Sequence, residues 1–462
     1  MKLYNTLTRT TEEIQPLHSD KVTIYTCGPT VYDYPHVGNW FTFVRYDLLV
    51  RTLRALGKNP VWVMNITDVG HLTDDADDGE DKLEKGARRE GKTAWDVAQY
   101  YGDYFVQGLQ RLNVTDPQYL PKATEHIAEQ IALVERLEEK GYTYTTSDGV
   151  YYDTSKFEGY AAFARLDLDD LQAGARVEYN PEKRNITDFA LWKFSPKDQQ
   201  RDMEWDSPWG RGFPGWHIEC SAMSMKYLGE TIDIHSGGID HIPVHHTNEI
   251  AQSEAATGKR FANYWMHTNH VTVEGEKISK SLGNGITLED IEARGYSLEA
   301  FRLHVLESHY RSQSKFTWES LEAAQNRLQN WQAIADLRYQ PIATGGNMLH
   351  AADTDFSPLY DDLATPVALA RIDSRFRGIA SELVSNESMP QFVAYLSKID
   401  AHLGTALMQR SDIAERQKDL IKQRDEARAA KDWARSDEIR DALLAEGISV
   451  RDTPQGTIWA RV

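Results

Sequence analysis

Hydrophobic and polar positions change period several times along this chain, and each change marks an element. Lys21-Val22-Thr23-Ile24-Tyr25 alternates and is rich in β-branched and aromatic residues, which predicts a buried strand. Trp40, Phe43, Val44, Leu48, Leu49 and Leu53 then recur at helical spacing until Gly57, a natural helix stop. Val61 to Ile66 reads as a second strand, so strand, loop, helix and strand form a βαβ unit. Helical patterns follow over 93–112 and 124–140, the second stopped by Gly141, and short aromatic strands over 143–153. Later come a strand at Thr231 to His235, a helix opening at His245-His246, and a strand at Val271-Thr272-Val273. From 298 to 409 the pattern is almost wholly helical, with a Gly- and Ala-containing linker near 343–355. Beyond Ile413 two charged amphipathic helices precede strands at 448–450 and 457–459, joined by turn chemistry around Pro454-Gln455-Gly456.

These elements predict an α/β fold: a Rossmann-like parallel nucleotide-binding sheet with an inserted connective domain, then an α-helical bundle and a small C-terminal α+β unit. The expected divisions are 1–114 for the first half of the nucleotide-binding domain and 115–205 for the insertion. The second half takes 206–297, the helical bundle 298–409 and the terminal unit 410–462. The acidic run Asp74 to Asp81 is expected to be a solvated loop, because its spacing is not that of a calcium loop.

Composition narrows the class. With 462 residues, 41% hydrophobic, the chain is globular and too long for one core. No apolar run approaches the roughly 18–20 residues that cross a bilayer, and Met1-Lys2-Leu3-Tyr4 opens no signal-peptide pattern, so a cytoplasmic location is expected. Two cysteines, Cys27 and Cys220, exclude a disulfide framework. The net charge of −19 argues against broad nucleic-acid affinity but not against a local groove. Residues 410–462 hold eleven Lys or Arg and eleven Asp or Glu, so the acidity lies elsewhere and this neutral end is better suited to RNA.

Three stretches carry candidate chemistry. His36, Gly38 and Asn39 stand where the first helix begins, with free backbone N–H groups and the positive dipole end, which suits phosphate. A capped helix start with a structural histidine is the alternative. His245 and Glu249, four apart on a helix, share one face; with Cys27 and Cys220 they offer two thiolates, an imidazole and a carboxylate, all zinc ligands. None of these residues has the tight spacing of a zinc finger, and a histidine pair at a helix start also has a purely structural reading. Lys277-Ile278-Ser279-Lys280-Ser281 is a cationic loop able to neutralise charge on a triphosphate, or an ordinary surface turn. Arg302, His304, His309 and Arg311 are read as solvated surface, with polyanion contact as the alternative.

Together the motifs resemble a known family. Cys27-Gly-Pro-Thr-Val-Tyr-Asp-Tyr-Pro-His-Val-Gly-Asn39, Gly215-Trp-His-Ile-Glu-Cys-Ser-Ala-Met223, His245-His-Thr-Asn-Glu-Ile-Ala-Gln-Ser253 and Lys277-Ile-Ser-Lys-Ser-Leu-Gly-Asn284 occur in the order found in cysteinyl-tRNA synthetases, of class I. Asn39 stands where the class-wide signature has a second histidine, as is usual for cysteinyl enzymes, and Ile278 where methionine is common. Asn65-Ile66-Thr67-Asp68 matches the family and Val69-Gly70-His71 then departs from it.

The resemblance implies a cysteine–tRNA ligase that forms cysteinyl-adenylate from L-cysteine and ATP and passes cysteine to tRNA(Cys). It implies one Zn²⁺ per chain on Cys27, Cys220, His245 and Glu249, taking the sulfur of the substrate, and Mg²⁺ with ATP. It assigns His36, Gly38, Asn39, Lys280 and Asp240 to ATP, Lys277 and Lys280 with His36 and Asn39 to catalysis, and Gly28, Thr67 and Trp216 to the substrate. No editing domain, no membrane association and a monomer are expected. The rival reading is the cysteine ligase of mycothiol synthesis, which uses the same adenylate chemistry but lacks a terminal RNA-binding unit.

Overall fold

A computed structural model describes residues 1–70, 81–165, 181–196, 201–278, 283–343 and 355–462. The chain divides into two compact units, 1–290 with 310–316, and 291–309 with 317–462.

The first unit is built on four parallel strands in the order Ala262–Thr268, Ile232–Gly238, Val22–Thr26, Pro60–Met64. All five residues of Val22–Thr26 are buried, as a strand covered on both faces requires. Its crossover helix, Val37–Ala55, buries Trp40, Phe41, Phe43, Val44, Leu48 and Leu49, and Trp40 stacks on Phe105 with ring centroids 5.7 Å apart. This is the predicted βαβ unit, and its strand lies between Pro60–Met64 and the much later Ile232–Gly238. Strand order reverses at that point, so a crevice opens beyond the carboxyl ends of Val22–Thr26 and Ile232–Gly238. Cys27 is the first residue past one strand, and Asp240 lies just past the other.

A second sheet, antiparallel, joins Thr143–Thr145, Gly149–Tyr152 and Phe189–Phe194 of the interval between the two halves to Gly212–Pro214, which lies past the expected boundary at 205. Tyr152 and Phe189 stack across it, 5.0 Å apart, and Tyr152 Oη donates to the Ala251 carbonyl at 3.0 Å, tying this sheet to the helix Thr247–Thr257.

In the second unit the helices Leu298–Leu306, Trp318–Ala335, Thr365–Glu382 and Met389–Leu403 bury Phe301, Leu328, Trp331, Phe376 and Leu396. Two further helices, Glu415–Ala429 and Trp433–Ala445, and a hairpin, Ile448–Thr453 with Gly456–Arg461, enclose a separate small core of Ile413, Ile439, Leu443, Ile448 and Trp459.

Two readings need correction. Asp81, the last member of the acidic run, is buried: it caps the helix Lys82–Glu90 through Leu83 N at 2.8 Å and Glu84 N at 3.0 Å and pairs with Arg201. Residues 74–80 of that run, like most of the 343–355 linker, lie outside the described residues. Arg302 and His304 are buried and not on the surface; Arg302 Nε donates to the Leu403 carbonyl at 2.6 Å, satisfying the end of a helix.

Candidate active site and metal centre

A cavity of about 750 Å³ fills the crevice, and its lining includes Cys27, Gly28, His36, Gly38, Asn39, Thr67, Trp216, Cys220, Asp240, His245 and Lys277. Thus eleven of the thirteen residues singled out above face one space; Glu249 lies buried beneath it, and Lys280 lies outside the described residues.

The floor is the cluster of Cys27, Cys220, His245 and Glu249, whose donor atoms all lie within 4.8 Å of one another and are buried. Three segments deliver them: the residue after the strand Val22–Thr26, the helix Trp216–Leu228, and a π-helical turn, Ile242–His246, running into Thr247–Thr257. Such a turn widens the helix locally and is frequent at functional sites.

The donors fit a metal ion. Glu249 Oε1 is 2.8 Å from His245 Nε2 yet accepts no well-directed hydrogen bond among the described residues, so the two atoms converge on a third position and not on each other. The remaining polar atoms of both residues are engaged: His245 Nδ1 is 3.0 Å from His217 Nδ1, and Glu249 Oε2 is 2.7 Å from His235 Nε2. Outer partners of this kind set tautomer and orientation in metal sites. Cys27, His235, His246 and Glu249 form a second, overlapping group of potential ligands. Its close contacts are ordinary hydrogen bonds, His235 to Glu249 and His246 to Cys27 at 3.4 Å, so it supports the first group.

Charge in the cluster is uneven. The neighbouring Cys27 thiol pulls Cys220 down to about 7, whereas burial pushes Cys27 up. Burial also opposes charge on Glu249 and His245, but the carboxylate is held well below its usual range by His235 and His245, and the imidazole is raised to about 10 by Glu249 and Cys220. A cation held by these four groups would compensate the same anions. His246 and His267 are held neutral by burial.

Above the floor, the Trp216 ring lies 4.5 Å from that of His245. Thr67 Oγ1 donates to Glu219 at 3.0 Å and accepts from Asn65 Nδ2 at 3.0 Å, so a buried polar network fixes that wall. Gly28 N donates to Asn65 Oδ1 at 2.9 Å, and a Cβ at Gly28 would stand 1.7 Å from the Asn65 carbonyl oxygen. Gly28→Ala is therefore expected to force two strand ends apart, costing about 3 kcal/mol. A clear fall in thermal melting temperature together with lost cysteine binding checks this; an unchanged melt contradicts it.

At the helix start the cap is His36 and not Asn39. Asn39 N donates to His36 Nδ1 at 3.4 Å, and His36 N donates to Asn39 Oδ1 at 3.0 Å, a reciprocal capping box. A Cβ at Gly38 would meet Ile278 Cδ1 at 2.9 Å, so the lysine-bearing segment begins directly over the helix start. Lys277 ends the short strand Glu276–Lys277 and is exposed.

Comparison with known proteins identifies the family. Residues 13–326 match the family model for the class I (C) tRNA synthetase catalytic domain, and residues 410–459 match the cysteinyl-tRNA ligase anticodon binding domain. The chain belongs to the cysteinyl-tRNA ligase family. It is 49% identical to Cysteine--tRNA ligase 1 of Burkholderia lata, over 99% of this chain and 96% of that one. It is 44% identical to Cysteine--tRNA ligase of Treponema denticola over the full length of both. Among solved structures, a Mycobacterium tuberculosis methionyl-tRNA synthetase with methionyl-adenylate shares the fold, with TM-score 0.61 and 14% identity, covering 84% of this chain and 93% of that one. The match to the anticodon domain disfavours the mycothiol reading, whose ligase lacks such a unit.

For this cysteinyl-tRNA ligase family member, several structurally important residues escaped sequence reasoning. His217, His235, His246 and His267 surround the donor cluster, and Thr6 contacts His267. His217 and His246 stand beside residues already singled out, which is the one signal available; Thr6 and His267 sit in unremarkable sequence.

Proposed function

We propose that this protein activates L-cysteine with ATP and transfers the cysteinyl group to the 3′-terminal adenosine of tRNA(Cys). The observation that carries this reading is the buried group of two thiols, an imidazole and a carboxylate at the floor of the nucleotide crevice. ATP-dependent ligation is the chemistry of the family to which the chain belongs.

In the first step the substrate carboxylate attacks the α-phosphorus and pyrophosphate leaves; in the second a hydroxyl of the terminal ribose attacks the carbonyl and AMP leaves. No protein nucleophile is needed, so the residues act by alignment and charge stabilisation. His36, Gly38 and Asn39 hold the triphosphate at the helix start, and Lys277 and Lys280 close over it, with Mg²⁺ accompanying the nucleotide. Asp240 lines the adenosine side, and Gly28, Thr67 and Trp216 the amino-acid side. Cys27, Cys220, His245 and Glu249 hold one Zn²⁺, which supplies a thiophilic Lewis acid for the substrate sulfur. A hydrophobic pocket alone separates near-isosteres such as serine and cysteine by only about a hundredfold, so a sulfur-selective floor makes a separate editing site unnecessary.

The divisions 1–114, 115–205, 206–297, 298–409 and 410–462 are retained as the working domain scheme, with the last two for tRNA. No helix among the described residues is long and apolar enough to cross a membrane. A cytoplasmic, monomeric enzyme is proposed.

Cysteine-dependent ATP–pyrophosphate exchange, tRNA charging and metal analysis on one preparation test the reading. Exchange with stoichiometric zinc is expected; exchange driven equally by serine would overturn it. Lys280→Ala is expected to slow adenylate formation by about 10²–10³, the range for losing one preorganised charge-stabilising group, with cysteine affinity nearly unchanged. Equal losses in rate and affinity would contradict the assigned role.

A further inference from the structure

Behind Cys27 runs a buried chain of hydrogen bonds that the steps above leave unused. His246 Nε2 is 3.4 Å from Cys27 Sγ, His246 Nδ1 is 2.7 Å from His267 Nε2, and His267 Nδ1 is 2.7 Å from Thr6 Oγ1. All four residues are buried, and they come from four segments: the turn after the strand Lys2–Asn5, the residue after the strand Val22–Thr26, the π-helical turn and the strand Ala262–Thr268. Trp265 holds the geometry from one side. Its ring lies nearly parallel to that of His267, at 6°, and its carbonyl accepts from Thr6 N at 2.9 Å.

The direction of the chain follows from its sulfur end. A thiolate acting as a ligand has no proton to give, so His246 Nε2–H must donate to Cys27 Sγ. His246 Nδ1 is then an acceptor, His267 Nε2–H its donor, and His267 Nδ1 an acceptor that, among the described residues, the Thr6 hydroxyl serves. Every link has one donor and one acceptor with both rings neutral.

We propose that Thr6, His267 and His246 are positioning residues that lock a single tautomer and aim an N–H at the Cys27 sulfur, thereby making the centre able to accept one more thiolate. The reasoning is electrostatic and rests on the zinc reading above. Two thiolates and a carboxylate place three negative charges around a dication, a centre poorly disposed to a further anion. An N–H···S bond withdraws charge from one of those sulfurs. Thr6 supports this from a distance: its hydroxyl is the donor to His267 Nδ1, and without it that buried nitrogen is left unpaired, which weakens the orientation in which His246 Nε2–H faces Cys27.

Cobalt(II) substitution makes the sulfur visible through its thiolate-to-metal charge-transfer band. Thr6→Val, nearly isosteric, is expected to move that band to longer wavelength and raise KM for cysteine about tenfold, at the low end for an outer metal-site partner, with kcat for exchange changed less than twofold. Thr6→Ser, which keeps the hydroxyl, is expected to match the wild type, and the smaller Thr6→Ala to repeat the shift if valine disturbs packing. Full cobalt uptake with an unmoved band in Thr6→Val and Thr6→Ala would overturn the relay alone, as would a Thr6→Ser protein that behaves like Thr6→Val. No cobalt uptake by the wild type would overturn the metal reading and the relay with it.

Discussion

Cys220→Ser is expected to purify without stoichiometric zinc and to lose cysteine-dependent pyrophosphate exchange by on the order of 10³, beyond the roughly 10–100-fold typical of outer partners. Serine preserves the size of the side chain in a site where Cys220 is 2% exposed, so packing survives while the donor changes. A hydroxyl stays protonated where a thiol gives up its proton, and the Cys220 thiol is already drawn down to about 7 by Cys27. What remains is one thiol beside His245 and Glu249, too few soft donors for tight binding. The preference for cysteine over serine should fall with the metal, toward the roughly hundredfold or less that shape alone provides. Metal analysis, circular dichroism and exchange with both amino acids measure each consequence; a zinc-replete, fully active Cys220→Ser protein would remove the basis of the proposed function.

Removal of residues 413–462 is expected to cut tRNA charging by about 10² while exchange stays within about twofold. The terminal helices and hairpin have their own core around Leu443, Ile448 and Trp459, and Arg424 grips Asp452 through two hydrogen bonds at 2.8 and 2.9 Å. This part matches an anticodon binding domain, whereas the crevice residues belong to the other compact unit. The expected loss follows from its surface: Trp433 is 56% exposed with the Arg428 guanidinium 5.7 Å from its ring, and stacking one base on such a group is worth about 1–3 kcal/mol. Truncation also strips partners from neighbouring helices, since Gln340 bonds the Trp459 backbone and Arg461 pairs with Asp336 at 2.5 Å. Trp433→Ala is the gentler form of the same test, with charging expected to fall about tenfold. Charging by the truncated or substituted protein at the wild-type rate would refute the assignment.

Hydrophobic period was enough to place the βαβ unit, because a fully buried strand and a crossover helix each leave a local signature: Val22–Thr26 and Val37–Ala55 fall where it points. The terminal hairpin was legible for the same reason, its turn being written in Pro454-Gln455-Gly456. Polar residues were less legible. Arg302 reads as surface from its charge, yet it is buried because the end of a distant helix needs a donor, and Asp81 is buried because Arg201 reaches it.

The sequence by itself determined which residues have metal- and phosphate-binding chemistry, since thiol, imidazole and carboxylate are properties of single side chains and their order is that of a family. Only the tertiary structure decided that Cys27, Cys220, His245 and Glu249 meet, and that Thr6 stands two rings behind a sulfur. The physical reason is that such convergence depends on strand order at a switch point and on a π-helical turn. Both join residues more than two hundred positions apart, and no local periodicity records that pairing.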